Sequence, residues 1–546
     1  MSKKHEEGLG DFPNLEPLNE AENPIVTNKS ETPLSPYSIF TKPQKRIITL
    51  LIGLAMMFSP LTANIYLPCI PVLEQQYHTT TQNINLTITA YIVLQGIAPA
   101  FFGELSDKVG RRPVYLLGFS IYFGASIGLA LQDNYSALLI LRMLQSIGAS
   151  VPVALGYGVV ADVASPAERG TMLGPAMVTT NLGPVLGPLI GGPLAQNAGW
   201  RWVFWFLSIA GGTFLLVIAL LLPETCRNIV GNGSIDSGKW NKPMLPYLYP
   251  KVEVLEREWN EPEPLSVRFF RVMPNPMRSF RLILEKDTSM VLLLAGIFYM
   301  MYYIVQASLP PLFIEYYGLD ETQIGLCYLA LSFGVIFGGF MNARVMDWNY
   351  RMTAKALGVE VDKVRGDDLG KFPIERARAR LAEVFMLLRF CFVLGYGWSL
   401  RQHIAIPLII QFFIGLLGIN QSFNTLLVEI HRDSASTAAA SGNIARCALA
   451  AGGVAVMSPL ISKMGVGPFF SLVAGVTCLG GVGLVWLIRF KGMKWRLERD
   501  AKRSKKELAK SRKGPNSKPL YLKQEMSGVD GAAVAKDEER AVLPKA

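Results

Sequence analysis

Twelve apolar stretches of roughly 20 residues alternate with polar connections along the chain, at about 47–67, 84–102, 114–132, 137–160, 171–195, 202–222, 289–313, 323–343, 383–400, 404–428, 437–462 and 467–489. A helix needs about 20 apolar residues to cross a bilayer. Barrel spans show alternating segments of about ten residues, and none are found here. The pattern predicts an all-α membrane protein with twelve transmembrane helices. A polar region over about 223–288 divides them into a six-helix bundle at 47–222 and another at 289–490, joined by a central cytoplasmic loop. Residues 1–46, with Pro, Asn and Glu, read as a disordered cytoplasmic tail, and the charged 491–546 as a basic, disordered cytoplasmic tail. No signal peptide precedes the first apolar run.

The two halves repeat. Shifted by 240 positions, VLEQQYHTTTQNINL (72–86) lies on LFIEYYGLDETQIGL (312–326), and Asp107 lies on Asp347. Shifted by 267, Asp162 lies on Glu429, which places an insertion at about 350–380. Two six-helix pseudo-repeats mark a secondary transporter, whose site lies between halves that rock to alternate access.

Composition narrows the class further. Half of the residues are hydrophobic and only 17% charged, against about 25% charged in a soluble domain, which argues against a soluble enzyme. The connections and tails on the side of the N-terminus hold 46 of the 53 Lys and Arg, while the opposite connections hold Arg201, Arg401 and Lys463. Cytoplasmic loops carry the excess of Lys and Arg, so both termini are expected in the cytoplasm. The net charge of +11 is mainly this topology signal. The run KRSKKELAKSRK (502–513) faces anionic lipid rather than nucleic acid in this setting. The six Cys show no CxxC spacing and read as small buried hydrophobes. No nucleophile–base pair, metal-ligand spacing or phosphate loop rises above chance, so no enzymatic activity, metal or cofactor is expected. A monomer is expected.

Several motifs carry chemistry. The connection after the second apolar stretch reads GELSDKVGRRP (103–113), where Asp107, Lys108, Arg111 and Arg112 form a charge latch or a plain basic loop. ADVASPAERG (161–170) adds Asp162, Glu168 and Arg169, expected to pair with that latch. The fifth stretch, GPAMVTTNLGPVLGPLIGG (174–192), spaces Gly174, Gly183, Gly187, Pro188, Gly191 and Gly192 for close helix approach and kinking. Arg142 lies within apolar sequence, a costly placement that is usually functional; snorkelling to the membrane surface is the alternative. These motifs resemble the major facilitator superfamily: GxLxDxxGRR is similar to its signature loop, 174–192 to the fifth-helix motif of its drug:proton antiporters, and 141–150 to a helix-four motif. SPLTANIYLPCIPVL (59–73), GWRWVFWFL (199–207), LPETCRNIVGNGSI (222–235) and FPIERARAR (372–380) resemble the fungal twelve-helix branch containing quinidine- and weak-acid-resistance transporters and citrate exporters. The resemblance implies the major facilitator fold, export from the plasma membrane in exchange for protons, and a proton-coupling role for Arg142. Asp107, Arg111, Arg112, Asp162, Gly183, Gly187, Pro188 and Glu429 are the gating and coupling candidates.

The cargo is read from charges within the helices. Asp and Glu stand only at helix ends, whereas Arg142, Arg389 and Arg446 lie deeper. Guanidinium pairs with carboxylate in bidentate geometry, which points to small organic acids such as citrate. Arg446 alternatively pairs with Glu429 or backbone carbonyls as a structural group. Polar faces in lipid turn inward, and helical spacing groups Thr87, Tyr91 and Gln95; Tyr299, Tyr302, Tyr303 and Gln306; and Asn420 with Asn424. Asn64 and Tyr66 stand in the first helix, where some bacterial multidrug relatives carry an acid. The substrate-binding candidates are Arg142, Arg446, Asn64, Tyr91, Gln95, Tyr302, Gln306 and Asn420. A multidrug exporter of the quinidine-resistance type, a transporter-like sensor and an uptake symporter are the alternatives. Proton exchange needs a titratable group, which only Asp107, Asp162, Glu429 or a weak-acid cargo supplies.

Overall fold

The computed structural model describes residues 37–164, 168–235, 244–245, 277–356, 372–418, 420–431 and 435–511. Its long helices, in chain order, are α1 (Lys42–Ile65), α2 (Thr81–Val109), α3 (Arg111–Leu131), α4 (Tyr135–Val163), α5 (Arg169–Asn197), α6 (Trp200–Leu221), α7 (Lys286–Tyr317), α8 (Glu321–Ala356), α9 (Ala382–Ser399), α10a (Ala405–Leu416) with α10b (Asn420–Ile430), α11 (Ala435–Met464) and α12 (Val466–Ser511). Among the described residues ten helices are long and apolar enough to cross a membrane. The 29-residue α5 and the two-piece α10 complete the twelve. Four prolines stand within α5; each removes a backbone donor.

Packing repeats with a shift of six helices. In the first half α1 packs on α5, α2 on α4, and α3 on α6; in the second, α7 packs on α11, α8 on α10a, and α9 on α12. The halves meet through α2 against α11 and α5 against α8. This is the all-α, two-repeat architecture that the apolar pattern predicts. Apolar side chains at the shared surfaces, Ile92, Phe58, Ile304 and Val454 among them, are buried, and packing rather than hydrophobicity holds helices together in lipid.

Three expectations are corrected. Residues 37–46 are not tail: α1 opens at Lys42 behind Thr41, whose capping box with Gln44 closes the helix start. Ahead of it, Tyr37 lies under the Arg227 guanidinium, 3.6 Å from ring to charge, and its hydroxyl donates to the Ala161 carbonyl at 3.0 Å. Residues 491–511 continue α12 as helix. Lys, Arg, Glu and Ala favour helix, and ion pairs hold this extension: Arg496 with Glu375 at 3.0 Å, Arg503 with Glu285 at 2.8 Å, and Arg499 with Asp287. The tenth stretch is two helices rather than one. Gly415 and Gly418 weaken the ladder there, and Gly415 is tied to its place because a Cβ on it would stand 2.4 Å from the Leu331 carbonyl oxygen of α8.

Candidate transport site and gating clusters

Tyr37, at the start of the described chain, packs on Ala161 near the end of α4 and on Arg227 just past α6, and the face they share is termed the tail face. On that face α2 ends at Val109 and α3 begins at Arg111 across Gly110, whose φ of +119° is a conformation few side chains adopt. The Arg111 guanidinium bridges this turn to α4, meeting Asp162 at 3.0 Å, Asp107 at 2.6 Å and the Ser106 hydroxyl at 2.6 Å. The predicted latch therefore joins Asp107, Arg111 and Asp162 within the first half. Arg112 does other work: its Nε and Nη2 donate to the carbonyls of Leu222 at 3.0 Å and Ala219 at 2.7 Å, tying α3 to α6. Glu168 pairs with Lys45 of α1 at 2.7 Å. The side chains of Arg169, Asp347 and Asn420 lie outside the described residues, as does the centre of the 350–380 insertion.

Glu224, absent from the sequence-derived candidates, anchors this cluster. Its carboxylate accepts the backbone N–H groups of Arg111 (2.8 Å), Arg112 (3.2 Å), Thr225 (3.0 Å) and Cys226 (2.9 Å). A carboxylate at a helix N-terminus meets orphan donors and the positive end of the dipole. Burial pushes Glu224 above the ordinary carboxylate range against the pull of those N–H groups. Arg227 extends the contact, donating to the Asp162 carbonyl at 3.0 Å and the Tyr37 carbonyl at 2.7 Å. The sequence signal was present in LPETCR, an acid just past an apolar stretch, but two of its four partners are backbone amides more than 110 positions away.

The second half builds its tail face differently. Glu429 receives a two-pronged bond from Arg378 of the short helix Ile374–Ala379, so it is neither a latch partner nor the partner of Arg446. Beside it His431 pairs with Thr288 at 2.7 Å, and burial together with Arg499 pushes its imidazole down to about 3.

The predicted fifth-helix motif packs as a strip. A Cβ at Gly183, Gly187 or Gly191 would come within 2.3–2.8 Å of the α1 backbone between Leu61 and Ile65. On the other side a Cβ at Gly192 would meet the Glu321 carbonyl of α8 at 2.3 Å, and one at Gly325 the Pro188 carbonyl at 2.4 Å. The motif thus seats α5 on α1 and on the other half at once. Gly174 is different, with nothing within 4 Å of its Cβ position.

The deeper charges Arg142 and Arg446 each lie against tyrosine rings. Arg142 is fully buried and does not snorkel. Its guanidinium lies between the rings of Tyr66 (4.2 Å) and Tyr91 (4.3 Å), and Nη1 donates to Gln145 at 2.8 Å. Its Nε and Nη2 are buried without partners. Tyr66 bonds Thr87 at 2.8 Å and Tyr91 donates to the Ser59 carbonyl at 3.2 Å, which holds both rings in place. In the second half Arg446 of α11 stands over the Tyr299 ring of α7 at 5.3 Å. Arg446 donates to Asn443 at 3.1 Å and leaves Nε unmet. Asn443 donates in turn to the Gln95 carbonyl at 2.7 Å, a direct bond between α11 and α2. Among the described residues no carboxylate pairs with Arg142 or Arg446. Ser59, Gln145 and Asn443 bond members of this group and had no distinguishing mark in the sequence.

Of the remaining candidates, Tyr302 stacks on the Tyr299 ring, centroids 6.4 Å apart. Tyr302 and Gln306 bond each other at 3.0 Å on α7. Asn64 donates to the Pro60 carbonyl at 2.7 Å and packs beside Gly187. The arrangement offers two guanidinium groups with unmet donors, aromatic faces, and a bond between α2 and α11 that separation of the halves must break.

A family model described as Major Facilitator Superfamily matches residues 52–448. The chain is 36% identical over 495 residues to the MFS-type transporter phiD of a fungal species (strain ATCC 74256), covering 90% of this chain and 74% of that protein. It is 35% identical over 466 residues to citrate exporter 1 of Aspergillus niger, covering 83% and 87%. Among solved structures, the human organic anion transporter MFSD10 superposes with a TM-score of 0.53 at 17% identity, covering 81% of this chain and 99% of that one. The xylose transporter XylE of E. coli, in a partially occluded inward-open conformation, gives 0.55 at 14% identity, covering 82% and 98%. These two show the fold alone.

Proposed function

Because the chain belongs to the major facilitator superfamily, and is thus a multi-pass membrane transporter of small organic molecules, we propose that it exports small organic acids such as citrate from the cell in exchange for protons. The observation that carries this reading is two guanidinium groups held on tyrosine rings with unmet donors, Arg142 on Tyr66 and Tyr91 and Arg446 on Tyr299, the second tied through Asn443 to Gln95 of the other half. A cargo carboxylate supplies the acceptors these donors lack. Pairing at Arg446 competes with its bond to Asn443, and so loosens the Asn443–Gln95 bridge between α11 and α2. Binding and rocking are coupled in this way. The exchanged proton travels on Asp107, Asp162, Glu429 or on the weak-acid cargo itself. The relative named citrate exporter 1 supports the cargo class. The Lys and Arg distribution supports cytoplasmic termini, and the reading places a monomer in the plasma membrane.

The test is efflux of labelled citrate from cells overexpressing the chain, beside Arg446→Ala and with the proton gradient collapsed by a protonophore. Release that rises with the wild type, falls at least tenfold in the variant and falls with the gradient meets the expectation. A second reading, a multidrug exporter, draws on the Tyr299, Tyr302 and Tyr303 cluster, whose ring faces suit amphipathic cations. No citrate release, with growth on quinidine altered and unaffected by Arg446→Ala, selects that reading instead.

A further inference from the structure

One side of α8 keeps its direction from the bilayer into the tail face and changes only in chemistry. Phe333, Phe337 and Phe340 stand at three- and four-residue steps, and Arg344, Trp348, Arg351 and Lys355 continue the same steps, which sets them all in one row along the helix. Every member is exposed, the three Phe at 48–57% and Trp348 at 50%. α8 meets α5 through Gly325 and Ser332, and α10a through Gly334 and Gly338. At about 100° per residue the row falls between these two contacts and faces outward. Its Phe part belongs to the apolar stretch 323–343 and therefore faces lipid. Past that stretch α8 runs on from Arg344 to Ala356, about 20 Å farther. Trp348, one turn beyond Arg344, stands at the bilayer boundary, the depth where Trp anchors a helix.

The short helix Ile374–Ala379 widens the basic part of the row. It is held from behind, by Arg378 on Glu429 and by Phe372 against Tyr350 of α8, ring centroids 4.7 Å apart. Its outer residues Arg376 and Arg380 are exposed, and the Arg380 guanidinium lies over the Trp348 ring at 5.9 Å. The acids beside them in the chain are already taken, Glu375 by Arg496 at 3.0 Å and Glu383 by Arg489 at 3.5 Å. Among the described residues no acid pairs with Arg344, Arg351, Lys355, Arg376 or Arg380. Like charges gathered at a low-dielectric boundary repel less when an anion lies among them, and guanidinium forks meet phosphate with two N–H groups at once. A soluble anion leaves the Phe row without a partner. A phospholipid meets both parts, because its chains and its phosphate are joined in the order in which the row presents them.

We infer that the tail-face end of α8 is a binding site for an anionic phospholipid, with its chains along Phe333, Phe337 and Phe340 and its headgroup on Arg344, Arg351 and Arg380 beside Trp348. The site does not depend on which cargo is carried.

The test uses the full chain purified in a neutral detergent. Dioleoylphosphatidate, dioleoylphosphatidylserine, dioleoylphosphatidylcholine and glycerol phosphate are titrated separately, and adducts are read by native mass spectrometry. Phosphatidate or phosphatidylserine should bind in preference to phosphatidylcholine, and glycerol phosphate should not bind; whichever anionic lipid binds more tightly assigns the headgroup. One variant combines Arg344→Gln, Arg351→Gln and Arg380→Gln. A second removes the same charge from exposed residues off the row, Lys42→Gln, Lys502→Gln and Lys505→Gln. Affinity for the anionic lipid should fall by about tenfold or more in the first variant and stay within about twofold in the second. An equal fall in both variants, which marks diffuse attraction to net charge, would overturn the site. So would phosphatidylcholine binding as tightly as the anionic lipids, or glycerol phosphate binding alone. Lipid binding that appears only after Glu360, Asp362, Asp367 and Asp368 are replaced by Gln or Asn gives the surface to that acidic stretch of the chain and overturns the site as well. If the triple variant does not fold, the three single replacements are titrated instead: weaker binding in each upholds the site, and unchanged binding in any of them refutes it.

Discussion

Replacing Glu224 by alanine removes the acceptor that four backbone amides share, those of Arg111, Arg112, Thr225 and Cys226 at 2.8–3.2 Å. Two of them open α3, and losing a cap of this kind costs about 1–2 kcal/mol. The side chain is only 4% exposed, so the freed amides gain little water, and each buried donor left unmet costs roughly 1–3 kcal/mol. The carboxylate's own burial, which raises its pKa, is relieved by the change and offsets part of this. A net loss of about 2–3 kcal/mol at the start of α3 follows. Since about 1.4 kcal/mol is tenfold in an equilibrium, amide hydrogen exchange over 110–116 should quicken by roughly 30- to 150-fold. Exchange is read by mass spectrometry on the purified full chain, with 372–380 in the other half as the internal reference. Glu224→Gln keeps one acceptor oxygen and should fall between wild type and alanine. Transport should drop as well, because Arg111 loses its backbone anchor while it holds Asp107 and Asp162. Unchanged exchange at 110–116 in the alanine variant would refute the capping role and with it the view that this carboxylate positions the latch.

Further outcomes are expected from the same geometry. Gly187→Val forces α5 away from the Ile65 amide at 2.8 Å and should abolish transport, whereas Gly174→Ala, with open space around its Cβ, should leave flux and expression within about twofold of wild type and gain roughly 1 kcal/mol of helix propensity at most; flux and expression in cells compare the two. His431 is held neutral down to about 3, while its unfolded pKa is near 6.5. Between those values the unfolded chain binds the extra proton, so stability is full above about pH 6.5 and is lost as pH falls, by about 1.4 kcal/mol per unit. Melting in detergent from pH 7.5 to 5.5 should show this slope, and His431→Asn should flatten it. Arg496 and Glu375, with side chains 5% exposed and charges 3.0 Å apart, form a buried pair: Arg496→Gln should cost about 3–5 kcal/mol, and adding Glu375→Met should recover much of that. Thermal melting of the two variants side by side checks it.

Much of the architecture was legible because lipid imposes it. A bilayer leaves the backbone few options, so runs of about 20 apolar residues, their count, and the six-plus-six repeat already specify an all-α transporter. The motif at 174–192 was legible as close packing because glycine spacing on a helix is a local property. Boundaries were less so. The tail limits near 46 and 491 were drawn where hydrophobicity ends, but the helices run past them, since Thr41 caps one and Glu375, Asp287 and Glu285 hold the other. Hydropathy measures solvent preference and is silent about capping and ion pairing.

What the sequence determined by itself is the set of expensive residues: Arg142, Arg389 and Arg446 in apolar surroundings, and charges at Asp107, Arg111 and Asp162 beside a turn. Partnership was decided only by the tertiary structure. It placed Tyr66 and Tyr91 on either side of Arg142, gave Glu429 to Arg378 rather than to Arg446, turned Arg112 to carbonyls of α6, and brought Glu224 to the amides of α3. The cost of burying a charge depends on the residue and can be read along the chain. What offsets that cost is a contact between segments far apart in sequence, and it exists only once the helices have packed.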